Sequence, residues 1–258
     1  MEKKTYNTTK EALINTPLPE QTRTYKPVSH EQLIDLTLNS IHQAGFELDK
    51  EMYTASSDGQ IANGRFTISN VNDRDMQLQI GWQNSYNKML TLKFAIGARI
   101  FICQNGCVSG DYGAFKKKHV GEVQTFTPTA ITEYIKRSGD AFKNLQRERD
   151  AMKQVEVSET RRAQLIGQMV IEKEIITPTQ MNIVSREIKR PTHDYDCENS
   201  LWELYQYTTF AMKEENPRFW MDKHISAHDF FVNEAGILVQ ADPMKDFINF
   251  PHEQLQLF

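Results

Sequence analysis

Basic and aromatic side chains in the middle of the chain form the clearest candidate binding site in the sequence. Seven cations make up the basic part: Lys116, Lys117, Lys118, Lys136, Arg137, Lys143 and Arg147. Lysine and arginine neutralise phosphates, and aromatic rings stack on unpaired bases. Trp82 and Tyr86, on and just after a predicted strand, supply such rings. Together these nine residues predict a surface that binds single-stranded nucleic acid.

A second interpretation of the same cations stays open. Glu133, Asp140, Glu148 and Asp150 are interleaved with them along the predicted helix, and mixed charge of this kind is typical of an ordinary solvated helix face. The net charge of −4 is compatible with a local basic patch but does not predict one.

Cysteine and histidine spacings suggest three further sites. Cys103 and Cys107, with distant Cys197 and His119, could hold zinc, which prefers tetrahedral sulfur and nitrogen ligands. The alternative is a packed strand end, because a free cysteine usually behaves as a small buried hydrophobe. Without a second close pair of ligands the packed strand end is favoured.

Two histidine-containing segments could also bind a cation. His224 and His228 would share one face of a helix, the geometry of a divalent metal site. His193, Asp194 and Asp196 form an acidic cluster in a predicted loop. A packed aromatic helix and a solvated turn are the favoured alternatives. We predict no bound metal and no cofactor, and the sequence leaves metal binding by Cys103 and Cys107 or by His224 and His228 open.

Catalytic motifs are missing from the sequence. It contains no phosphate-binding glycine loop, dinucleotide fingerprint, nucleophile elbow or kinase motif set. A non-catalytic protein is therefore favoured over an enzyme, with a metal-dependent nuclease as the remaining enzymatic alternative.

Strands and helices must position these residues. Alternation of apolar and polar residues predicts strands over 46–56, 61–70, 78–83 and 90–103, with a polar turn at 84–88. Capping residues predict helices that begin at Ser29, Thr127-Pro128, Ser158 or Glu159, Thr177-Pro178 and Asn199 or Ser200. The predicted class is α+β: an antiparallel β-meander of about four strands (about 46–104) backed by helices (about 128–214), with a C-terminal helical region.

Composition bounds the rest. A chain of 258 residues with 39% hydrophobic and 25% charged residues is typical of a globular protein. We predict one domain over 28–235, a flexible or extended arm over 1–27, which contains Pro17, Pro19 and Pro27, and a tail over 236–258. Without a signal core or a membrane-spanning apolar run, a cytoplasmic protein is expected, with reduced cysteines and no membrane partner.

Three short motifs resemble known families. The Asn84-Ser85 turn, followed by an apolar strand ending in Cys103-x-Asn105-Gly106, resembles the phage and plasmid-like proteins of domain of unknown function 932. The run from Cys103 to Ser109 is also similar to domain of unknown function 3871 of Bacteroidetes mobile elements, and the helix from Asn199 to Thr208, with Trp202 and Tyr205, resembles a helix of those domains. The resemblance covers about residues 30–235.

The chain departs from that family pattern in one place. The first family commonly has Asn-Ser-His-Asp-Gly where this chain has Asn84, Ser85, Tyr86, Asn87 and Lys88, so no acid–base or metal role of the His-Asp pair can be carried over. The resemblance implies a protein of phage, plasmid or mobile-element origin in a bacterial host cytosol, without established activity.

Two functions follow as expectations. The first is a non-catalytic accessory protein of a phage or mobile element that binds or anneals single-stranded nucleic acid. Self-association is expected there only by analogy with annealing proteins. The alternative is a protein-interaction module, such as an inhibitor of host defence or a partner of phage machinery, that uses the aromatic segment around Trp220 and Phe230.

Overall fold

The fold is an antiparallel sheet covered by helices. The computed structural model describes residues 5–69, 73, 75–100, 106–108, 114–121, 123–214 and 219–237. Seven strands are present in this part of the chain: β1 (Thr5–Thr8), β2 (Leu48–Ser56), β3 (Ile61–Ile68), β4 (Met76–Ser85), β5 (Leu92–Ile100), β6 (Gly106–Val108) and β7 (Ala114–Lys117). They run in the order β1-β2-β3-β4-β5-β6, and β7 also pairs with β5. The predicted α+β class is confirmed.

The sequence predicts about four strands, fewer than the seven in the described residues. The four predicted strands correspond to β2–β5, while β1, β6 and β7 have only four, three and four residues. Runs this short carry too few alternations to be recognised as strands.

Seven α-helices lie in the described residues: α1 (Lys10–Ile14), α2 (His30–Gln43), α3 (Val123–Gln154), α4 (Glu159–Gly167), α5 (Pro178–Lys189), α6 (Leu201–Ala211) and α7 (Trp220–Glu234). Ser29, Ser158, Thr177 and Ser200 cap α2, α4, α5 and α6 with their side chains, as predicted. A π-helical turn (Gln168–Glu172) follows α4, and a 3-10 turn (Met212–Glu214) follows α6.

The start of α3 was predicted wrongly. The helix begins at Val123, five residues before Pro128, whereas the sequence predicts a start at Thr127-Pro128. Proline favours the first helical position, but close to a helix start it removes only one backbone hydrogen bond. It is therefore a poor marker of the starting residue.

The two faces of the sheet differ in polarity. On one face Phe66, Ile80 and Phe94 are fully buried, and this face packs against α2 and α3. On the other face polar side chains form a row across three strands: Asn63 on β3 pairs with Gln83 on β4, and Gln83 pairs with Lys93 on β5. That polar face is also largely buried, and the first turns of α7 cover part of it through Met221.

The N-terminal segment is packed onto the domain. β1 extends the sheet by pairing with β2, and Leu13 and Tyr25 are 1% and 4% exposed. The described residues before Val28 are therefore not a free arm, because apolar side chains anchor them in the core. The predicted tail lies outside the described residues apart from Gly236 and Ile237.

None of the helices in the described ranges combines the length and apolarity needed to cross a bilayer.

Candidate functional site

Three lysine-bearing segments meet at the end of the sheet where β4 turns into β5. The Lys26 backbone N–H donates to the His119 carbonyl over 2.8 Å, and the Tyr25 and His119 rings are 5.8 Å apart. The Lys88 ammonium lies 4.7 Å from the centre of the Tyr25 ring. We call the surface formed by Lys26, Lys88, Lys117 and Lys118 the basic end. Lys88 and Lys118 are exposed, and Lys26 and Lys117 are half-buried.

A cluster of stacked rings lies beneath the basic end. The His30 imidazole stacks on Tyr86 with 3.9 Å between ring centres and 8° between planes. It is also nearly parallel to Trp82, whose ring centre is 6.2 Å away. His30 is the first residue of α2, so this stack fixes the start of that helix against β4.

Hydrogen bonds fix the tautomer of the His30 ring. Its Nε2 lies 3.1 Å from the Gly59 carbonyl, which only accepts hydrogen bonds, so Nε2 carries the proton. Its Nδ1 lies 3.2 Å from Asn84 Nδ2, which donates to it and also to the Val28 carbonyl. Burial lowers the pKa of His30 to about 4, because the charged imidazolium is poorly solvated there.

Tyrosine hydroxyls tie the adjoining segments to this stack. Tyr86 Oη accepts the His30 backbone N–H at 2.7 Å, which satisfies one of the unpaired donors at the start of α2. Tyr25 Oη donates to the Tyr86 carbonyl at 3.0 Å. Burial raises the pKa of both hydroxyls. These contacts make the framework under the basic end rigid.

Asn84 and His119 are buried polar residues of this framework. Oδ1 of Asn84 lacks a hydrogen bond to any described residue, and the His119 ring is 5% exposed beside the Lys26 backbone. Burial lowers the pKa of His119, so the neutral ring is favoured. Because the neutral imidazole carries no charge, the positive charge of this region comes from the surrounding lysines.

The predicted stacking platform is not accessible. Trp82 is 0% exposed and Tyr86 is 4% exposed, so neither ring can stack on a base. Trp82 lies on the face that packs against the helices, where its indole covers Gly64. Strand alternation placed it correctly on one face but could not show that this face is closed by helices.

The predicted cations divide into two groups. Lys136, Arg137, Lys143 and Arg147 lie exposed on α3, where Lys136 pairs with Glu133 at 3.1 Å and Lys143 with Asp140 at 2.9 Å. This is the pattern of a solvated helix face. Lys117 and Lys118 belong to the basic end, and Lys116 pairs in register with Lys93 while its side chain lies outside the described residues.

Both histidines of α7, His224 and His228, are buried, and His228 contacts two other helices. His228 Nε2 lies 2.9 Å from Glu148 Oε2, and its Nδ1 lies 3.1 Å from Tyr205 Oη. All three residues are at most 3% exposed and join α3, α6 and α7. No local pattern could have found this network, because its members are 23 and 80 positions apart in sequence.

No group of three or more potential ligands occurs among the described residues. Cys103 and the side chain of Cys107 lie outside those residues, and Cys197 is a half-buried thiol whose pKa is raised by burial.

Sequence reasoning missed Lys26, Lys88 and His30. Lys88 lies in the predicted turn and His30 follows the predicted cap Ser29. Lys88 and His30 were thus in correctly predicted elements, whereas Lys26 belonged to the predicted arm. The convergence of the three residues depends on contacts between distant segments.

Comparison with known proteins gives one result. The family model described as Domain of unknown function (DUF932) matches residues 17–228. No curated protein and no solved structure matches the chain. The matched range contains Lys26, His30, Lys88 and the loop around His119.

Proposed function

The chain belongs to the family of domain of unknown function DUF932, and we propose that it binds single-stranded nucleic acid through the basic end. The proposed role is that of a non-catalytic accessory protein of a phage or mobile element in a bacterial cytosol. That origin rests on the resemblance of the Asn84-Ser85 turn and the following strand to phage and plasmid-like proteins.

The convergence of lysines from three segments carries this proposal. Lys26, Lys88 and Lys118 form no ion pair with any described residue, whereas Lys136 and Lys143 on α3 do. An unpaired lysine at the surface can neutralise a phosphate without first breaking an internal salt bridge. The basic end is therefore better suited to a phosphate backbone than the α3 face.

The buried framework supports binding rather than catalysis. His30 and His119 are enclosed and favour the neutral form, and their neighbours are aromatic rings and backbone carbonyls. A general base must reach its substrate within hydrogen-bonding distance, and side chains 0% and 5% exposed offer no such access. Their contribution is to hold the lysine-bearing segments in place.

Fluorescence anisotropy with a labelled single-stranded oligonucleotide tests the proposal. Three to four phosphate contacts give a slope of about −2 to −3 when log K is plotted against log salt. Reversing two charges with Lys88→Glu and Lys118→Glu should weaken binding and reduce the slope by about 1.4. The matched control reverses two charges on α3, Lys136→Glu and Lys143→Glu, and should retain most of the affinity.

Two results would reject the proposal. One is the absence of binding by the parent protein at low salt. The other is equal loss of affinity in both double variants, which would show a response to net charge rather than to the basic end. Duplex DNA of the same sequence measures the preference for single strands.

Exposed apolar side chains favour one alternative. Met89 and Val120 are 50% and 45% exposed and adjoin Lys88 and Lys118, a mixture that suits an acidic protein partner. In the C-terminal aromatic segment Phe219 is 43% exposed, but Phe230 is 8% exposed and Trp220 packs on Arg65, so the segment offers a smaller apolar surface. Met89→Ser and Val120→Ser should impair binding to a protein partner but leave a salt-dependent DNA affinity nearly unchanged.

A further inference from the structure

The polar face of the sheet carries cations beneath the first turns of α7. Arg65, Gly81 and Ala95 lie side by side on β3, β4 and β5, and the neighbouring row is Asn63, Gln83 and Lys93. Gln83 Nε2 donates to Asn63 Oδ1 at 2.9 Å. A sheet face that packs permanently under a helix is normally apolar. Here two cations and two amides occupy it.

The contacts from α7 to this face are of the kinds that a nucleotide makes. The Trp220 ring lies over Arg65, with 5.4 Å between Cζ and the ring centre. The Asp222 carboxylate pairs with the Lys93 ammonium, whose side chain is 7% exposed. A base stacks on guanidinium as an indole does, and a phosphate pairs with lysine as a carboxylate does. No acidic residue in the described ranges forms an ion pair with Arg65.

The start of α7 meets the sheet through polar, aromatic and apolar side chains. Asp222 pairs with Lys93 and Trp220 lies over Arg65, and Met221 packs with Ala95, with Trp220 and Ile225 beside them. Phe219 provides no side-chain hydrogen bond to cap the helix, and a helix without such a cap is less stable in its first turn.

The second half of α7 is anchored separately. Phe231 and Val232 are 0% and 1% exposed in the main core, and His228 is bound to Glu148 and Tyr205. The first two turns can therefore leave the sheet while the rest of the helix stays in place. Such local opening of the least stable part of a structure is common at binding sites.

The covered face is continuous with the basic end. Lys93 pairs in register with Lys116 on β7, and Lys116 directly precedes Lys117 of the basic end. A strand of nucleic acid bound at Lys117 and Lys118 that continued over β7 and β5 would reach Lys93 and then Arg65.

We infer that the Arg65–Lys93 face is a second segment of the nucleic-acid path, and that the first two turns of α7 occupy it as an internal competitor. The inference rests on the proposed function, because it takes the same ligand class. Trp220 and Asp222 hold the face closed in the free protein. Bound single strand displaces them because it can contact Arg65 and Lys93 only when α7 is open.

A release variant tests the inference. Trp220→Ala with Asp222→Asn should raise the affinity for a long oligothymidylate about fivefold or more, within the range of ordinary coupling between sites. Glu234→Gln is the matched control: it removes one carboxylate from the same helix and breaks the ion pair with Arg161, far from the sheet. It should change the affinity less than about twofold.

A measurement on the unaltered protein guards against misfolding of the release variant. Hydrogen exchange of the α7 amides at residues 223–226 should become faster when the oligonucleotide is added, and the amides near Phe231 should stay protected. An unchanged affinity of a folded release variant, or slower exchange at 223–226 on binding, overturns the inference while the parent's salt-dependent binding leaves the proposed function standing. If the parent fails to bind, the proposed function itself is rejected.

Discussion

Acid should destabilise the protein through His30. The imidazole is 0% exposed and its pKa is about 4 in the fold, compared with 6.5 for an ordinary histidine. The neutral ring is specified by its partners, since Nε2 donates to Gly59 and Nδ1 accepts from Asn84. Protonation of Nδ1 would place two donors against each other in the interior.

The magnitude follows from the difference in pKa. A difference of about 2.5 at about 1.4 kcal/mol per unit corresponds to about 3.5 kcal/mol. The unfolded chain takes up a proton below about pH 6.5, whereas the folded protein resists protonation until about pH 4. The contribution of His30 to the free energy of unfolding is therefore fully present above about pH 6.5. It decreases as the pH falls and is lost below about pH 4. Between pH 7 and 4.5 the loss due to His30 is about 2.5 kcal/mol.

Urea unfolding of the parent and of His30→Phe, at about pH 7 and about pH 4.5, measures this contribution. The variant retains an aromatic ring but cannot titrate, so its loss of stability on acidification should be smaller by about 2.5 kcal/mol. His42→Gln, which replaces an exposed histidine, should behave as the parent. If His30→Phe and the parent lost equal stability on acidification, the buried neutral histidine would not be the cause.

Three further substitutions test the packing and capping of the fold by urea unfolding at neutral pH. A Cβ at Gly64 would lie 2.5 Å from the Trp82 ring, so Gly64→Ala should cost about 1 to 3 kcal/mol, whereas Gly167→Ala, with nothing within 4 Å, should not destabilise. Thr177→Ala removes the capping box of α5 and should cost about 1 kcal/mol. Asp73→Asn should cost about 2 kcal/mol, because its carboxylate accepts from the Arg149 guanidinium at 2.6 and 2.7 Å. A loss below about 0.5 kcal/mol in any of these three would contradict its stated contact.

The central part of the fold was predictable because its signals are local. Alternation over residues 78–83 corresponds to β4, and the capping residues Ser29, Thr177 and Ser200 marked helix starts correctly. These features depend on neighbours within four positions in the chain. Strand and helix assignments that rest on such short-range chemistry transfer directly from sequence to structure.

The site was less predictable because it depends on burial and on distant contacts. Alternation of apolar and polar residues is typical of a half-buried strand, yet Gln83 on the polar side of β4 is 0% exposed. Whether a face is covered depends on elements far along the chain, and here α7 begins 137 positions after Gln83. The same limit explains why Trp82 was predicted as a stacking platform and why Lys26 was not connected with Lys88.

The side chains of the Asn84-Ser85-Tyr86 motif form hydrogen bonds that join separate chain segments. Asn84 donates to the Val28 carbonyl, Ser85 exchanges two hydrogen bonds of 3.0 Å with the Leu90 backbone, and Tyr86 accepts from the His30 N–H. Apart from Asn84 Oδ1, each of these polar groups therefore has a structural partner that it would have to give up to act on a substrate. Since these contacts position the turn that bears Lys88, the surface above the motif, rather than the motif itself, is where a ligand can bind.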